Sequence, residues 1–300
     1  MNEIIDKLII RIFLLVFICV IIVLYKYSHF LLYPSSKGQF LKRFYPSKNP
    51  AETVHLFGRI LGLGLLFSQF QIYLMDGFFY AFFDFFITAV ITYTLYLVAL
   101  YIMESIALYN FEYNDEISKK KNMAYALVTM AHALGVAHLL QVSINVSTES
   151  GRHVIILIIF LWLFTVVIIG FASKTFKIIS KLHFNQLLVQ KNLAIGFSYL
   201  GFFLGWTIIV ASAINLPIGD IKNYGIQVIL KILLSLIIFP LFRWALIYIF
   251  KIEQDPEEVQ AEGAMGIRTI STGYGIYEGI IQLTSAYLTT VITGNIHFSF

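Results

Sequence analysis

The chain has 300 residues, of which 59% are hydrophobic and 13% are charged, and its formal net charge is +4. A soluble domain carries roughly 25% charged residues, so this composition excludes an ordinary cytosolic enzyme, a disordered chain and a secreted disulfide scaffold. With a mean hydropathy of +0.81, the sequence predicts a polytopic membrane protein. The small, dispersed positive charge gives no indication of a nucleic-acid partner.

Eight apolar segments are long enough to cross a bilayer, since a helix needs about 20 residues to span the hydrocarbon. They run over residues 8–25, 54–74, 78–109, 123–146, 154–176, 193–216, 225–250 and 264–292. No soluble domain fits between them. The expected fold class is therefore all-α, a polytopic membrane protein with eight transmembrane helices.

Basic residues are distributed unevenly between the two sides of the membrane. The loops after the first, third, fifth and seventh segments hold eleven of them: Lys37, Lys42, Arg43, Lys48, Lys119, Lys120, Lys121, Lys177, Lys181, Lys191 and Lys251. The opposite side holds four: Lys7, Arg11, Arg152 and Lys222. Because cytoplasmic loops carry the excess of basic residues, these long loops are predicted to be cytoplasmic and both termini to lie on the non-cytoplasmic side.

A motif recurs at the start of every even-numbered segment. The four copies read KNPAETVHLFGRILG from residue 48, KNMAYALVTMAHALG from 121, KNLAIGFSYLGFFLG from 191 and AEGAMGIRTISTGYG from 261. Counted from the second residue of each copy, alanine stands at +2 throughout. Position +9 holds Gly58, Ala131, Gly201 and Ser271, and position +13 holds Gly62, Gly135, Gly205 and Gly275.

These offsets share one narrow face of an α-helix that turns about 100° per residue. In lipid, close backbone approach is a main source of helix association. The stripe of Gly58, Gly62, Gly135, Gly201, Gly205 and Gly275 is therefore interpreted as a packing seam, with a narrow polar or lipid-accessible path as the alternative. Asn49, Asn122 and Asn192 are predicted to be helix N-caps, or else asparagines of interfacial loops.

All four motifs start helices that begin on the same side of the membrane. The repeating unit is therefore predicted to be a helical hairpin, an odd-numbered helix followed by an even-numbered one, that is used four times. Two hairpins make a half, which divides the chain into residues 1–146 and 147–300. The halves are expected to be parallel four-helix repeats related by an axis along the membrane normal.

The motifs resemble the bacterial inner-membrane family catalogued as domain of unknown function 350. The unit of that family has four membrane helices, with an N-x-A start and a small-residue stripe in the second and fourth. The resemblance covers nearly the whole chain as a tandem duplication, and it implies fold and location without supplying an activity. Glu262 replaces the asparagine in the fourth copy.

Several ionisable residues are predicted to lie inside the bilayer, where a charge costs about 2.5–3.5 kcal/mol on insertion scales. Arg59 and His132 share offset +10, and His138 and Glu278 share offset +16 beside the glycine stripe. Asp84 is expected at the same outer depth as His138 and Glu278. These residues form either structural clasps or a proton or cation relay.

Glu104 and Arg243 lie at nearly matching depths in the third and seventh segments. If the halves face each other around a pseudo-two-fold axis, these two side chains can pair near the cytoplasmic boundary. An unpaired arginine at that depth would have to extend to the headgroups, and an unpaired glutamate would tend to protonate.

The sequence contains no phosphate loop, no H-E-x-x-H motif and no G-x-S-x-G elbow, and no metal or cofactor is expected. The leading hypothesis is a non-enzymatic integral protein of the bacterial inner membrane, a scaffold or partner subunit of an envelope complex. The alternative is a transporter or channel for a small ion or solute, with a polar path between the glycine-striped helices. Membrane lipid, envelope proteins and a second copy of the chain are the expected partners.

Overall fold

The computed structural model describes residues 2–34, 46–68, 70, 72, 77–150, 153–180, 182–252, 258–260, 268–296 and 298. Its helices are α1 (Asn2–Leu32), α2 (Pro50–Phe67), α3 (Phe78–Ala107), α4 (Met123–Ser150), α5 (Val154–Ile179), α6 (Phe184–Val189), α7 (Leu193–Ile214), α8 (Ile221–Ile249) and α9 (Thr272–Thr293). A π-helical turn (Asn114–Lys119) precedes α4. A two-stranded antiparallel ribbon, β1 (Glu258–Gln260) and β2 (Arg268–Ile270), precedes α9.

Six helices in the described part of the chain are long and apolar enough to cross a membrane, namely α1, α3, α4, α5, α7 and α8. This combination of length and hydropathy is typical of a multi-pass membrane protein. The other two long helices, α2 and α9, have 18 and 22 residues. Both are more polar, since α2 contains Glu52 and Arg59 and α9 contains Glu278 and Gln282.

Three of the expected segments have limits that differ by six or more residues in the structure. The first, expected at 8–25, is a helix from Asn2 to Leu32. The second segment, expected at 54–74, is a helix from Pro50 to Phe67, because Asn49 caps its start and proline is well suited to the first turn. The eighth segment, expected from residue 264, begins as a helix only at Thr272, where the Ser271 hydroxyl accepts a hydrogen bond from the backbone N–H of Tyr274 (3.3 Å). The fourth-copy residues Glu262 and Ala264 lie outside the described residues.

The helices α2, α4, α7 and α9, which we call the core helices, pack side by side in chain order. At each seam the contacts advance in the same direction along both helices, so neighbouring core helices run parallel. The close pairs are Gly58–Met130 and Gly62–Ala133 between α2 and α4, Ala124–Gly196 and Gly135–Phe203 between α4 and α7, and Ala194–Gly275 and Gly201–Gly279 between α7 and α9.

The core helices form an open row rather than a closed two-fold arrangement. A two-fold axis that exchanges the halves would turn the seam between α4 and α7 into an equally extensive seam between α9 and α2. In the described part of the chain, α9 packs extensively against α7 and α8 and α2 packs against α4. The described residues therefore do not form the pseudo-two-fold arrangement on which a Glu104–Arg243 pair would depend, and the second half continues the row that the first half begins.

The remaining long helices α1, α3, α5 and α8, which we call the flanking helices, cover the sides of this row. The helix α3 packs on α4 and α5, α5 packs on α4 and α7, and α8 packs on α7 and α9. Phe17 of α1 contacts Phe67 of α2 with ring centroids 5.5 Å apart. The flanking helices expose many large apolar side chains, as expected of surfaces that face lipid tails.

Three core helices begin with a shared arrangement of hydrogen bonds. The side-chain oxygens of Asn49, Asn122 and Asn192 accept bonds from backbone N–H groups in the first turns of α2, α4 and α7. Each side-chain amide also donates to a carbonyl just before the next core helix. The acceptors are Ile117 (2.9 Å), Leu188 (2.7 Å) and Ile270 (2.9 Å). Each asparagine thereby ties the start of its own helix to the loop that leads into the next.

The fourth copy of the motif has a different register from the one expected. Ser271, expected at position +9 of the motif counted from Glu262, is the N-cap of α9, and Gly275 lies in the first turn instead of the middle of the helix. A cap requires a side-chain acceptor directly before the helix, and the Ser271 hydroxyl provides one. Counted from Ser271, Glu278 is at +7 rather than +16.

Candidate functional site

A belt of polar side chains crosses the core helices six to ten residues after their N-caps, or about 9–15 Å along each helix. At this level, among the described residues, one hydrogen bond spans each seam of the row. The pairs are His55 Nδ1 and Thr129 Oγ1 (2.9 Å), His132 Nε2 and Tyr199 Oη (2.9 Å), and Ser198 Oγ, which donates to Glu278 Oε2 (2.7 Å). We call these six residues the polar belt, and all six are buried. In a low-dielectric interior, such bonds satisfy groups that would otherwise be costly to bury.

The Arg59 guanidinium at the α2 end of the row is fully buried. It donates to Glu104 of α3 and to the hydroxyl of Tyr33, and that hydroxyl donates to the same carboxylate. The guanidinium carbon also lies 4.8 Å from the centroid of the Tyr33 ring. The Tyr96 hydroxyl of α3 donates to the Arg59 carbonyl (3.0 Å). These contacts join α2 to α3 and to the end of α1.

A second ion pair lies at the α9 end of the row, between Glu278 of α9 and Arg243 of α8, with 3.6 Å between Nη2 and Oε1. The Glu278 carboxylate also accepts bonds from Ser180 (3.2 Å) and Ser198 (2.7 Å). The Glu278 side chain is 1% exposed and the Arg243 side chain 25% exposed. Here the buried partner is the carboxylate.

Glu104 and Arg243, which were expected to bind each other, are bound to other partners. Glu104 binds Arg59 and Arg243 binds Glu278. The physical reason is the open row: α3 lies against the first half and α8 against α7 and α9 in the second. Each of these side chains therefore finds its counter-charge on a core helix of its own half.

The candidate polar path through Asp84, His138, Glu278, Arg59 and His132 is divided among separate sites. His138 lies 3.4 Å from the Gln141 side-chain oxygen (Nδ1 to Oε1) on its own helix. Glu278 is in the polar belt, nearer the helix start than His138, because α9 begins at Ser271. The relay proposed for these residues therefore has no continuous hydrogen-bonded route within the described part of the chain.

Asp84 borders a cavity of about 380 Å³ at the opposite end of the helices. The cavity lies between the start of α3, the end of α4 and the start of α5. Its polar walls include Asn145, Thr148 and Glu149. We call it the Asp84 cavity; two carboxylates at its walls give it the chemistry of a cation-attracting vestibule.

A cavity of about 230 Å³, which we call the Glu104 cavity, lies beside the Arg59–Glu104 pair. Its walls come from the ends of α1 and α3, the loop after α3 and the first turn of α4. Six aromatic side chains line it: Tyr33, Tyr101, Tyr109, Phe111, Tyr113 and Tyr125. The Glu104 side chain is 13% exposed. Sequence reasoning missed this site, although the run of tyrosines at 101, 109 and 113 just after an intramembrane glutamate was a usable signal.

The π-helical turn next to this cavity is held by its own charges. Lys120 donates to the buried Glu116 carboxylate (2.6 Å), and the other oxygen of Glu116 accepts a bond from Asn122 (2.7 Å). Lys119 donates to Asp115 (2.7 Å) and so lowers the pKa of that carboxyl. Burial raises the pKa of the Tyr113 hydroxyl, which therefore stays protonated.

The predicted glycine stripe lies at the seams of the row. A Cβ on Gly201 or Gly275 would overlap backbone atoms of the neighbouring core helix, and one on Gly62 would be 2.9 Å from the Ala133 carbonyl oxygen. Gly135 instead faces the side chains of Phe203 and Thr207, and Gly58 faces that of Met130. A Cβ on Gly205 would lie 3.2 Å from the Ala286 Cβ, which is the least crowded of these contacts.

The described residues contain no group of three or more His, Cys, Asp or Glu side chains that could hold a metal ion.

The repeated four-helix unit identifies the family of this chain. The family described as Domain of Unknown Function (DUF350) matches residues 3–144 and, a second time, residues 151–292. The chain belongs to the DUF350 family. It carries two tandem copies of the DUF350 unit, as the resemblance of its motifs predicts, and each copy contributes two core helices to the row. No curated protein and no solved structure matches the chain.

Proposed function

We propose that all eight long helices cross the bacterial inner membrane, as two parallel four-helix repeats in residues 1–146 and 147–300, with both termini on the non-cytoplasmic side. Two features support this proposal. The alternating charge of the loops follows the positive-inside rule. The two less apolar helices, α2 and α9, have polar side chains that bind other helices rather than face lipid.

Reporter fusions after residues 45, 118, 185 and 255 test this topology. Each should report a cytoplasmic position, and a fusion at the C-terminus should report the opposite side. A cytoplasmic C-terminus together with a cytoplasmic position after residue 255 would exclude eight spans, because α9 would then not cross the membrane.

Within that topology, the protein is a non-enzymatic membrane component, a scaffold or partner subunit of an envelope complex. The observation that supports this role best is the packing of the row. Its seams are closed by small residues and by the polar belt, and its two intramembrane ion pairs are each satisfied within one half. A seam filled in this way favours a rigid core on which partners assemble.

Purification of the tagged full chain from native membranes in a mild detergent, followed by mass spectrometry, tests the scaffold role. We expect an envelope protein to co-purify at a fixed ratio and to be lost when the row is disrupted by Gly275→Leu. The matched control is Gly273→Leu, since a Cβ at Gly273 meets nothing within 4 Å. Recovery of the chain alone, with no protein at a fixed ratio, would contradict the scaffold role.

A transporter or channel for a small cation remains the second candidate, and the Asp84 cavity is the observation that favours it. Asp84, Asn145 and Glu149 give this cavity a negative lining at the non-cytoplasmic end. Flux of protons, sodium or potassium into proteoliposomes tests it. Transport that falls in the Asp84→Asn variant would favour this function over the scaffold.

A further inference from the structure

The Glu104 cavity has the chemistry of a receptor for a positively charged group. Five of its lining residues are tyrosines, and the electron-rich faces of aromatic rings attract cations within about 6 Å. Glu104 is the charged side chain among the lining residues. A carboxylate surrounded by aromatic rings is a combination that selects ammonium groups over anions.

The polar atoms of this cavity also favour a cation that donates hydrogen bonds. Within the part of the chain that the structure describes, each Glu104 oxygen accepts one bond, from Arg59 or from Tyr33, and a carboxylate can accept about four. The Tyr113 hydroxyl is buried and has no hydrogen-bond partner among the described residues. A primary ammonium group can donate to both, whereas a quaternary one cannot.

The side of the cavity that is nearest α5 is positive. Lys174 and Lys177 place their Nζ atoms 4.9 Å and 6.0 Å from the centroid of the Tyr109 ring, and Tyr109 lines the cavity. Both lysines are exposed. An anion bound to them would sit beside an ammonium group bound inside. A negative charge inside the cavity and positive charges at its rim match a zwitterion whose amine and phosphate are close together.

The position of the cavity indicates how such a ligand arrives. It lies at the ends of α1 and α3, where Tyr101 is 65% exposed on a flanking helix. In the proposed topology this is the headgroup level of the inner leaflet. A volume of about 230 Å³ is below the roughly 300–1,000 Å³ of pockets for drug-sized ligands, so it suits a headgroup rather than a larger cofactor.

We infer that the Glu104 cavity binds a phosphate-linked primary ammonium group, as in the headgroup of phosphatidylethanolamine. The ammonium group donates to Glu104 and Tyr113, and the phosphate binds Lys174 and Lys177 at the rim. Free phosphoethanolamine carries the same chemistry. The assignment to the inner leaflet rests on the proposed topology, but the binding chemistry does not.

Binding to the purified full chain in a mild detergent tests the inference without reference to topology. The probes are short-chain phosphatidylethanolamine, phosphatidylcholine and phosphatidylglycerol, and free phosphoethanolamine. We expect phosphatidylethanolamine to bind about tenfold more tightly than each of the others. Equal affinity for phosphatidylcholine or phosphatidylglycerol would overturn the inference, and free phosphoethanolamine that binds as tightly as the lipid would overturn its lipid part.

Variants at the rim locate the site without disturbing the buried ion pair. Tyr109→Ala, and separately Lys174→Gln with Lys177→Gln, should each lower phosphatidylethanolamine affinity about tenfold at an unchanged melting temperature. The matched controls at the cytoplasmic end of α8 are Tyr248→Ala and Lys251→Gln, which should leave affinity unchanged. If the rim variants bind the lipid as tightly as the natural chain, or if the controls lose affinity equally, the inference is wrong.

Discussion

In the described part of the chain, each half of this DUF350 protein contains one ion pair between a core helix and a flanking helix, but with opposite signs on the core helix. In the first half the core helix α2 carries the arginine, and the flanking helix α3 supplies Glu104. In the second half the core helix α9 carries the glutamate, and the flanking helix α8 supplies Arg243. The third helix of each repeat therefore provides the counter-charge in both cases.

The difference shows which feature the repeat retains. The retained feature is a clasp between the third helix of a repeat and a core helix at one end of the row, whereas the sign of the charge has been exchanged. In each pair the more buried side chain is the one on the core helix. Arg59 is 0% exposed in one pair and Glu278 is 1% exposed in the other. A charge inside the row must be neutralised from the flank, since lipid offers no counter-ion.

The largest effect is expected from Glu104→Gln, which leaves the Arg59 guanidinium buried without a counter-charge. Breaking one side of a buried pair costs about 3–5 kcal/mol, so the unfolding midpoint in detergent should fall strongly. Adding Arg59→Gln to that variant should restore part of the loss. Adding Arg243→Gln should instead be additive, because Arg243 belongs to the other pair; non-additivity across the halves would contradict the separation of the two clasps.

Substitution at the seams should give the next largest effect. Gly275→Ala and Gly201→Ala place a methyl group onto the backbone of the neighbouring core helix, and overpacking of this kind costs about 1–3 kcal/mol. Gly62→Ala should behave similarly. The controls are Gly273→Ala and Gly64→Ala, since neither added Cβ meets an atom within 4 Å; both should unfold like the natural chain. Equal destabilisation by variants and controls would mean that the seams do not limit packing.

A smaller effect is expected at the starts of the core helices, where the fourth copy differs from the others. Asn122→Ala removes the cap and the two bonds that the side-chain amide donates, to the Leu188 carbonyl and to Glu116, whereas Asn122→Ser keeps a capping hydroxyl and loses only the two amide bonds. Loss of a cap costs about 1 kcal/mol. Ser271→Ala should therefore match the difference between the two Asn122 variants, as measured by thermal unfolding; a Ser271→Ala variant that costs more than Asn122→Ala would contradict this.

The smallest effect is expected from Arg243→Gln. The Glu278 carboxylate keeps its bonds to Ser180 and Ser198, and the Arg243 side chain is partly exposed. A carboxylate that loses its counter-charge can also take up a proton, whereas a buried guanidinium cannot lose one. The loss should therefore be about 1 kcal/mol, well below that of Glu104→Gln. Denaturant titration of both variants in the same detergent checks the order. Equal losses would show that the two clasps are equivalent despite their different burial.

The residues that could be located from the sequence are those whose role depends on local spacing. Asn49, Asn122 and Asn192 precede helices because a capping side chain and the turn that it caps are neighbours in the chain. The fourth copy lacks an asparagine, so the alignment of the motifs places its cap position at Glu262. The cap is made nine residues later, by Ser271. The partners of Glu104 and Arg243 could not be found from depth alone, because depth says nothing about which way a helix is rotated.

The amino-acid sequence by itself determined that this is a membrane protein and that a helical hairpin is repeated in a tandem duplication. It also determined which small residues allow close helix approach. Those properties depend on composition and on periodicity along one chain. The tertiary structure alone decided the open row, the exchange of charge between the two clasps, the polar belt and the Glu104 cavity. These depend on helix order and rotation, which are settled by contacts such as Ala194–Gly275 and Arg59–Glu104 between residues far apart in the chain.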